Sequence, residues 1–261
     1  MPSSLPHALW HEARQASAGL VFAETCALCH ADGAGSVVPA LCGPCVSSLP
    51  RLEEPRCDVC GEWFVGNVTG PFRCSNCADR TFAFEFASAP FRARAAMRDL
   101  VHRFKYDRQL WLGESLGRLL AEALDGPQAD PRLAGGGWVL VPVPLHPRRL
   151  REREFNQALE LATVAGRLTG LPVADVLRRV RYTTVQASLS RQDRLENLRC
   201  AFRPRRSWPW TRGQPKPALA GGSALLIDDV FTTGATMDAC ARVLRRETGA
   251  SRVAALTLAR G

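Results

Sequence analysis

From Thr81 onward the hydrophobic positions alternate between short apolar runs and helical spacings, whereas the stretch before it is organised by cysteines. Thr81–Ala89 is aromatic-rich and predicts a strand, and Arg92–Tyr106 and Leu110–Leu124 predict a helical hairpin. Asp125–Gly137 is a Gly/Pro/Asp loop. Trp138–Val143 is a continuous apolar run fit for a buried parallel strand, Asn156–Leu168 is helical and Val173–Val180 predicts another strand. Arg191–Leu198 predicts a short helix, Ala224–Ile227 a buried strand ending in Asp228-Asp229, Thr236–Glu247 a helix and Val253–Ala259 a last strand. Such alternation predicts an α/β fold with an open, mostly parallel sheet flanked by helices. Residues 203–222 hold four prolines and three glycines without a helical period and predict a mobile loop.

The longest apolar stretch, Trp138 to Leu145, falls far short of the roughly 20 residues needed to cross a bilayer. The N-terminus carries charges where a signal peptide needs an apolar run, so a cytoplasmic protein is expected. Charge is unevenly placed: residues 1–90 carry five Arg against nine acids, while residues 91–261 carry 29 Arg and Lys against 16 acids, a balance of +13. Lys105 and Lys216 are the only lysines, so nearly every cation is a guanidinium suited to bidentate phosphate recognition. Residues 146–206 alone hold 14 Arg against six acids, which predicts an anionic partner, a phosphorylated small molecule or nucleic acid, or else a solvated basic face.

Eight of the ten cysteines form four C-x-x-C pairs, Cys26/Cys29, Cys42/Cys45, Cys57/Cys60 and Cys74/Cys77. Two thiolates on one tight turn present both sulfurs to a metal, and two such turns complete a four-cysteine site. The nearly equal spacings predict two tandem zinc ribbons with closed, structural Zn2+ sites, while the pairing of cysteines into sites stays open. Gly43 and Gly61 are read as the positive-φ residues of such turns, and His30, next to Cys29, as a spare ligand. Disulfides, the competing use of paired cysteines, are set aside because a reducing compartment is expected; an iron–sulfur cluster is the remaining alternative. The expected organisation is an N-terminal extension over 1–20, a double zinc ribbon over 21–80 and an α/β domain over 81–261.

The run from Ala224 to Thr236 combines a buried strand, two acids and a short Thr/Gly loop that opens a helix. A helix N-terminus attracts phosphate, and Thr232, Thr233, Gly234, Ala235 and Thr236 supply hydroxyls and close backbone approach. Asp228 and Asp229 repel phosphate and suit sugar hydroxyls. The G-x-x-x-x-G-K-[ST] pattern of a Walker A loop is absent. Trp208 and Trp210 among Arg205, Arg206 and Arg212 offer stacking surfaces for nucleic-acid bases beside phosphate contacts, with a loop holding incidental aromatics as the plainer reading.

These residues resemble the fingerprint of the type I phosphoribosyltransferases, four apolar residues, two acids and a loop ending T-G-x-T. The resemblance implies that fold and a site for 5-phosphoribosyl 1-pyrophosphate with Mg2+. It also implies Thr232–Thr236 around the 5′-phosphate, Asp228 and Asp229 as catalytic carboxylates on the ribose hydroxyls, and a pyrophosphate loop from Pro144 and Leu145 to Arg148, Arg149, Arg151 and Arg153. A narrower resemblance spans nearly the whole chain. The cysteine pairs, Phe104-Lys105-Tyr106, Val141-Pro-Val-Pro144, Arg153-Glu-Phe-Asn-Gln157, Gln186, Arg194, Asn197 and Phe202 look like the ComF family of competence-associated proteins. That resemblance implies a flexible loop carrying Gln186, Arg191, Arg194 and Asn197, a role in DNA uptake with single-stranded DNA and competence-machinery proteins as partners, and Glu154 where the family has glycine, so that a less tight turn is expected there. The alternatives are a salvage phosphoribosyltransferase acting on a purine or pyrimidine base, and a non-catalytic module that senses a nucleotide.

Overall fold

The computed structural model describes residues 25–32, 38–68, 70–126, 129–135, 137–182, 200–205 and 219–261. They fall into two compact units, Met1–Leu49 and Pro50–Gly261. The smaller unit carries the first cysteine quartet, and its described part is held by short turns, including a helical turn over Gly43–Ser47.

The larger unit is built on a parallel sheet. Its strands are β1 (Ala87–Ser88), β2 (Phe91–Arg92), β3 (Trp138–Pro142), β6 (Ser223–Phe231) and β7 (Arg252–Arg260), in the order β1-β7-β6-β3 with β2 also on β7. Val173 extends the β3 edge through a parallel bridge to Leu140. Leu177–Arg179 (β4) and Phe202–Pro204 (β5) form a separate antiparallel pair. The helices are α1 (Ala95–Tyr106), α2 (Leu112–Ala121), α3 (Pro147–Arg153), α4 (Gln157–Thr169) and α5 (Ala235–Val243), the last running on as a wider turn to Thr248. The apolar strands β3, β6 and β7 are buried along nearly their whole length, as strands covered on both faces must be.

Three expectations need correction. Thr81–Ala89 is not one strand: regular pairing is confined to Ala87–Ser88 and Phe91–Arg92, because Pro90 has no N–H to give. The other edge of this segment is already taken, Ala87 N–H donating to the Val59 carbonyl at 2.8 Å and Arg92 N–H to that of Pro50. Val173–Val180 divides between the bridge at Val173 and β4. The strand expected to end before the two aspartates instead runs through them to Phe231, because β7 pairs with it as far as Arg260. The helix expected at 191–198 and residues 206–218 of the expected mobile loop lie outside the described residues.

The backbone contacts of Val59 and Pro50 also explain the division at residue 50. Residues of the second ribbon cover the exposed edge of β1 and β2, and a covered edge removes a site for stray pairing. Cys57, Val59, Cys60, Cys74 and Cys77 join Phe84, Ala87, Leu226, Val253 and Ala255 in one buried cluster. The second quartet of the double ribbon expected over 21–80 thus lies in the same compact unit as the sheet.

Helices α2 and α4 approach closely at Gly117. A Cβ there would stand 2.4 Å from the Val164 Cβ, well inside contact distance. Gly117→Ala should therefore cost about 2 kcal/mol in denaturant unfolding despite alanine's better helix propensity. A neutral or stabilising result would mean that the two helices separate freely.

Candidate functional site

The two cysteine quartets repeat one local design. In the first, Cys26 N–H bonds the Ala31 carbonyl, His30 N–H the Cys26 carbonyl, and Cys42 N–H the Cys26 Sγ at 3.4 Å. In the second, Cys57, Gly61 and Cys74 make the same three bonds, the last to Cys57 Sγ at 3.3 Å. Within each quartet all four Sγ atoms lie within 4.8 Å of one another, and the Cys29–Cys42 and Cys60–Cys74 sulfurs are 3.6 Å apart. A tetrahedral Zn2+ with Zn–S bonds of about 2.3 Å needs sulfur separations near this value, so both quartets fit zinc. The pairing left open by the sequence is thus 26/29/42/45 and 57/60/74/77.

Burial resists ionisation of Cys26, but N–H groups of Cys29, Cys42 and Leu28 outweigh it and bring the thiol down to about 6. Burial pushes Cys74 up to about 12, aided by the neighbouring Cys60 charge. Four thiolates so close need a cation. Of the residues read as turn formers, Gly61 is left-handed at φ 65° but Gly43 opens the helical turn instead. His30, at φ 59° and exposed, fills in the first quartet the place that Gly61 fills in the second, and is not one of the ligands.

The second feature lies at the carboxyl ends of β3 and β6. From β6 the chain passes through α5 to β7, and from β3 through α4 to the strand position of Val173 on the opposite side. The crevice between β3 and β6 is therefore the point where the winding reverses, the usual ligand position of an open parallel sheet. Asp228 and Asp229, as neighbours on a strand, face opposite sides of the sheet. Asp229 is buried, and its Oδ1 meets Lys105 Nζ of α1 at 2.7 Å. Burial first, and the Asp229 charge second, push the Asp228 carboxyl up to about 7, against the pull of Lys105 and Arg179. Its Oδ1 accepts the Asp229 N–H at 2.9 Å.

After Phe231, residues Thr232 and Thr233 are exposed and Gly234 turns left-handed at φ 76° to start α5. Among the described residues no side chain caps this helix, and the N–H groups of a first turn have no partner within the helix itself. A Cβ on Gly234 would lie 2.7 Å from Phe231 Cζ and 3.2 Å from Phe82 Cε1, so the turn demands glycine twice over. Ala235 and Thr236 are half-buried at the first turn.

On the β3 side, Pro144 and Leu145 lead to His146, whose Nδ1 accepts the Arg148 N–H and caps α3. Burial first, and then the charges of Arg179, Arg151, Arg148 and Arg149, hold the His146 imidazole below its usual range. Arg148 pairs with Glu152 at 3.1 Å and lies over the Tyr182 ring. Arg153 is engaged elsewhere, donating to Gln157 at 3.1 Å and to the Tyr106 hydroxyl at 3.2 Å. The turn after it is as tight as glycine would make it: Glu154 itself takes φ 69°, at a cost of about 1 kcal/mol, which corrects the looser turn expected there. Phe104 packs on Phe155 at 5.1 Å, and Asn156 caps α4 while donating to the Val143 carbonyl.

The structure thus brings Asp228, Asp229, Thr232–Thr236 and the loop from Pro144 to Arg149 to the same edge of one sheet. Arg205 is described and pairs with Asp175 at 2.9 Å. Gln186, Arg191, Arg194, Asn197, Arg206, Trp208, Trp210 and Arg212 lie outside the described residues. Sequence reasoning gives Lys105 and Arg179 no role. Lys105 carries a signal, being one of two lysines in a chain of arginines; Arg179 carries none.

Fold and cysteine centres together define an α/β protein with a mostly parallel sheet flanked by helices, preceded by a double zinc ribbon. The double zinc ribbon domain family matches residues 18–78. The resemblance to the ComF family is borne out by the chain's relatives. Competence protein F of Haemophilus influenzae is 28% identical over 210 residues, covering 79% of this chain and 84% of that protein. The DNA utilization protein YhgH of Escherichia coli is 27% identical over 227 residues, 84% of this chain and 90% of that one. A hypoxanthine phosphoribosyltransferase structure from Staphylococcus aureus covers 59% of this chain and 63% of its own at 14% identity, its TM-score of 0.30 too low to carry weight. Among the described residues no helix is long and apolar enough to cross a membrane.

The raised Asp228 has a consequence for stability. The unfolded carboxyl ionises near pH 4 and the folded one near 7, so the contribution of this group to stability is greatest below pH 4 and is lost as pH rises through 7. Asp228→Asn removes this loss. Its stabilisation should grow by about 1 kcal/mol between pH 5.5 and 8, a value halved for water reaching the strand end. Thermal unfolding at the two pH values checks it, and a gain independent of pH would assign the cost to something other than ionisation.

Proposed function

We propose that this chain is a ComF-like protein that binds 5-phosphoribosyl 1-pyrophosphate with Mg2+ in the crevice between β3 and β6, and single-stranded DNA along its arginine-rich surface. One observation carries the first half: two carboxylates stand near the end of β6, which leads through a short Thr/Gly loop into a helix start whose turn admits only glycine. In this reading the N–H groups and hydroxyls of Thr232–Thr236 hold the 5′-phosphate, and Asp228 and Asp229 hold the ribose hydroxyls. Arg148 and Arg149 meet the pyrophosphate from α3, with Arg153 bracing that loop through Tyr106 rather than touching ligand. Mg2+ would screen the two carboxylates from the phosphates. Lys105 does part of that work in its absence.

Replacing Asp228 and Asp229 together by Asn should weaken phosphoribosyl pyrophosphate binding tenfold or more, as a loss of about 1.4 kcal/mol requires, without unfolding the chain. Isothermal calorimetry measures this, and equal affinities would move the site elsewhere. Release of pyrophosphate when a purine or pyrimidine base is added would favour the salvage enzyme over the ComF-like reading.

The DNA half rests on the arginine charges around His146, on the excess of arginine over 146–206 and on relatives whose names include competence and DNA utilization. Four or five phosphate contacts give a log–log salt slope of about −3 on single strands. Replacing Arg206 and Arg212 by Ala should flatten it by about 1.4, and replacing Trp208 and Trp210 should lower affinity at an unchanged slope. Binding that is absent at near-physiological salt, or strong but indifferent to salt, would remove nucleic acid from the reading.

A further inference from the structure

The second cysteine quartet and the loop that opens α5 share their partners. Arg260, the last residue of β7, is only 8% exposed. Its Nε donates to the Cys60 carbonyl at 3.1 Å, one terminal nitrogen reaches Glu62 Oε2 at 2.8 Å and stands 3.7 Å from Cys60 Sγ, and the other donates to the Phe231 carbonyl at 3.3 Å. The same guanidinium lies over the Phe231 ring. One side chain thus joins the Cys57–Cys60 turn to the residue from which Thr232–Gly234 departs.

A second link runs in parallel. Arg80, three residues beyond Cys77, donates to the Thr233 carbonyl at 3.2 Å and packs over the ring of Phe82. That ring bears on Gly234, and the next residue, Ala83, donates its N–H to Asp238 in the first turn of α5 at 2.7 Å. Between the two links lies a cavity of about 230 Å³ whose lining includes Glu62, Asn76, Arg80, Thr232, Thr233 and Arg260. The loop is therefore held from outside by side chains whose own footing is the second quartet.

A Zn2+ held by four thiolates leaves a charge of about −2, which a guanidinium N–H beside Cys60 Sγ partly offsets; four neutral thiols offer it no such anchor. From this geometry we propose that metal occupancy of Cys57, Cys60, Cys74 and Cys77 sets the conformation of the Thr232–Thr236 loop, with Arg260 as the positioning residue, so that anion binding at the loop is linked to zinc in the second ribbon. The identity of the anion rests on the reading above; the linkage itself does not.

Linkage is reciprocal in binding free energy, so an anion bound at the loop must tighten zinc in the second quartet, and the tighter site is expected to give up its metal more slowly. The experiment follows zinc transfer from the full-length, zinc-loaded chain to a chromophoric chelator, using Cys29→Ser to leave the second site as the main source. Phosphoribosyl pyrophosphate and inorganic phosphate serve as separate probes. Saturating probe should slow that transfer tenfold or more, and Arg260→Met should abolish the protection while the far-ultraviolet dichroism stays unchanged. Should Arg260→Met lose its zinc on purification, Arg80→Met, which leaves the Cys60 contacts intact, must reduce the protection instead. The coupling is overturned if neither probe slows release, or if protection survives both substitutions. Protection by phosphate without calorimetric binding of phosphoribosyl pyrophosphate supports the coupling and overturns only the ligand assignment.

Discussion

Two adjacent carboxylates at the end of a buried strand are costly to place, and much of the larger unit is arranged around that cost. Neighbouring acids that are both shielded from water cannot both ionise freely. The sheet eases this by pointing them to opposite faces and pairing Asp229 with Lys105 from α1, while Asp228, which feels Lys105 and more weakly Arg179 of β4, keeps a raised carboxyl. That solution fixes where α1 ends, and Tyr106, the next residue, in turn receives Arg153 from the end of α3. The β3 side and the β6 side of the crevice are thereby braced through a single tripeptide, Phe104-Lys105-Tyr106. Phe104 packs the core, Lys105 compensates charge and Tyr106 supports the neighbouring loop.

The cysteine centres solve a different problem. Segments this short cannot bury enough apolar surface to fold unaided, and a metal supplies the missing free energy. The two quartets share one hydrogen-bond design yet sit in unlike surroundings. The sulfurs of the second are buried with Phe84, Ala87 and the face of β7, whereas Cys29 of the first is exposed. A ribbon that covers a sheet edge has become part of the sheet's core, so the metal there supports more than its own turns.

The alternation of elements, the eight ligands and the Asp-Asp-to-Thr236 run are legible in the sequence because each has a short-range signature: a period, a spacing, or a glycine before a helix. What stays hidden depends on long-range packing. Arg260 and Cys60 lie two hundred positions apart in sequence yet touch, and nothing local marks an arginine at a strand end as a brace. Lys105 and Asp229 meet across the crevice for the same reason. The tight turn at Glu154 escapes a reading by composition because one residue type is weak evidence against a conformation: Glu154 N–H still bonds the Leu150 carbonyl at 2.7 Å, and the surrounding helices impose the left-handed angle on whichever residue stands there. Thr81–Ala89 looks like a strand from its aromatics, but those aromatics serve the contact between ribbon and sheet, Phe84 packing edge-on to Phe231 at 6.0 Å.

The arginine excess needs the same care, since a guanidinium is as good a structural clamp as a phosphate ligand. Arg132 chelates Asp130 and also reaches the Asp58 carbonyl, Arg92 lies 3.6 Å over Trp63, and Arg245 holds the Ala83 carbonyl at 2.6 Å. These side chains add to the formal charge of +9 while their donors are spent on the fold. The arginines of α3 are differently placed. Arg148 and Arg151 are exposed, and after burial and Arg179 their charges help disfavour a proton on His146. Clamping arginines sit where two segments must be joined, whereas those of α3 stand on one short helix beside the sheet's ligand edge. Even in α3, Arg153 is held by Gln157 and Tyr106 and Arg148 by Glu152, so position in the fold, rather than net charge, decides which cations bind the protein to itself.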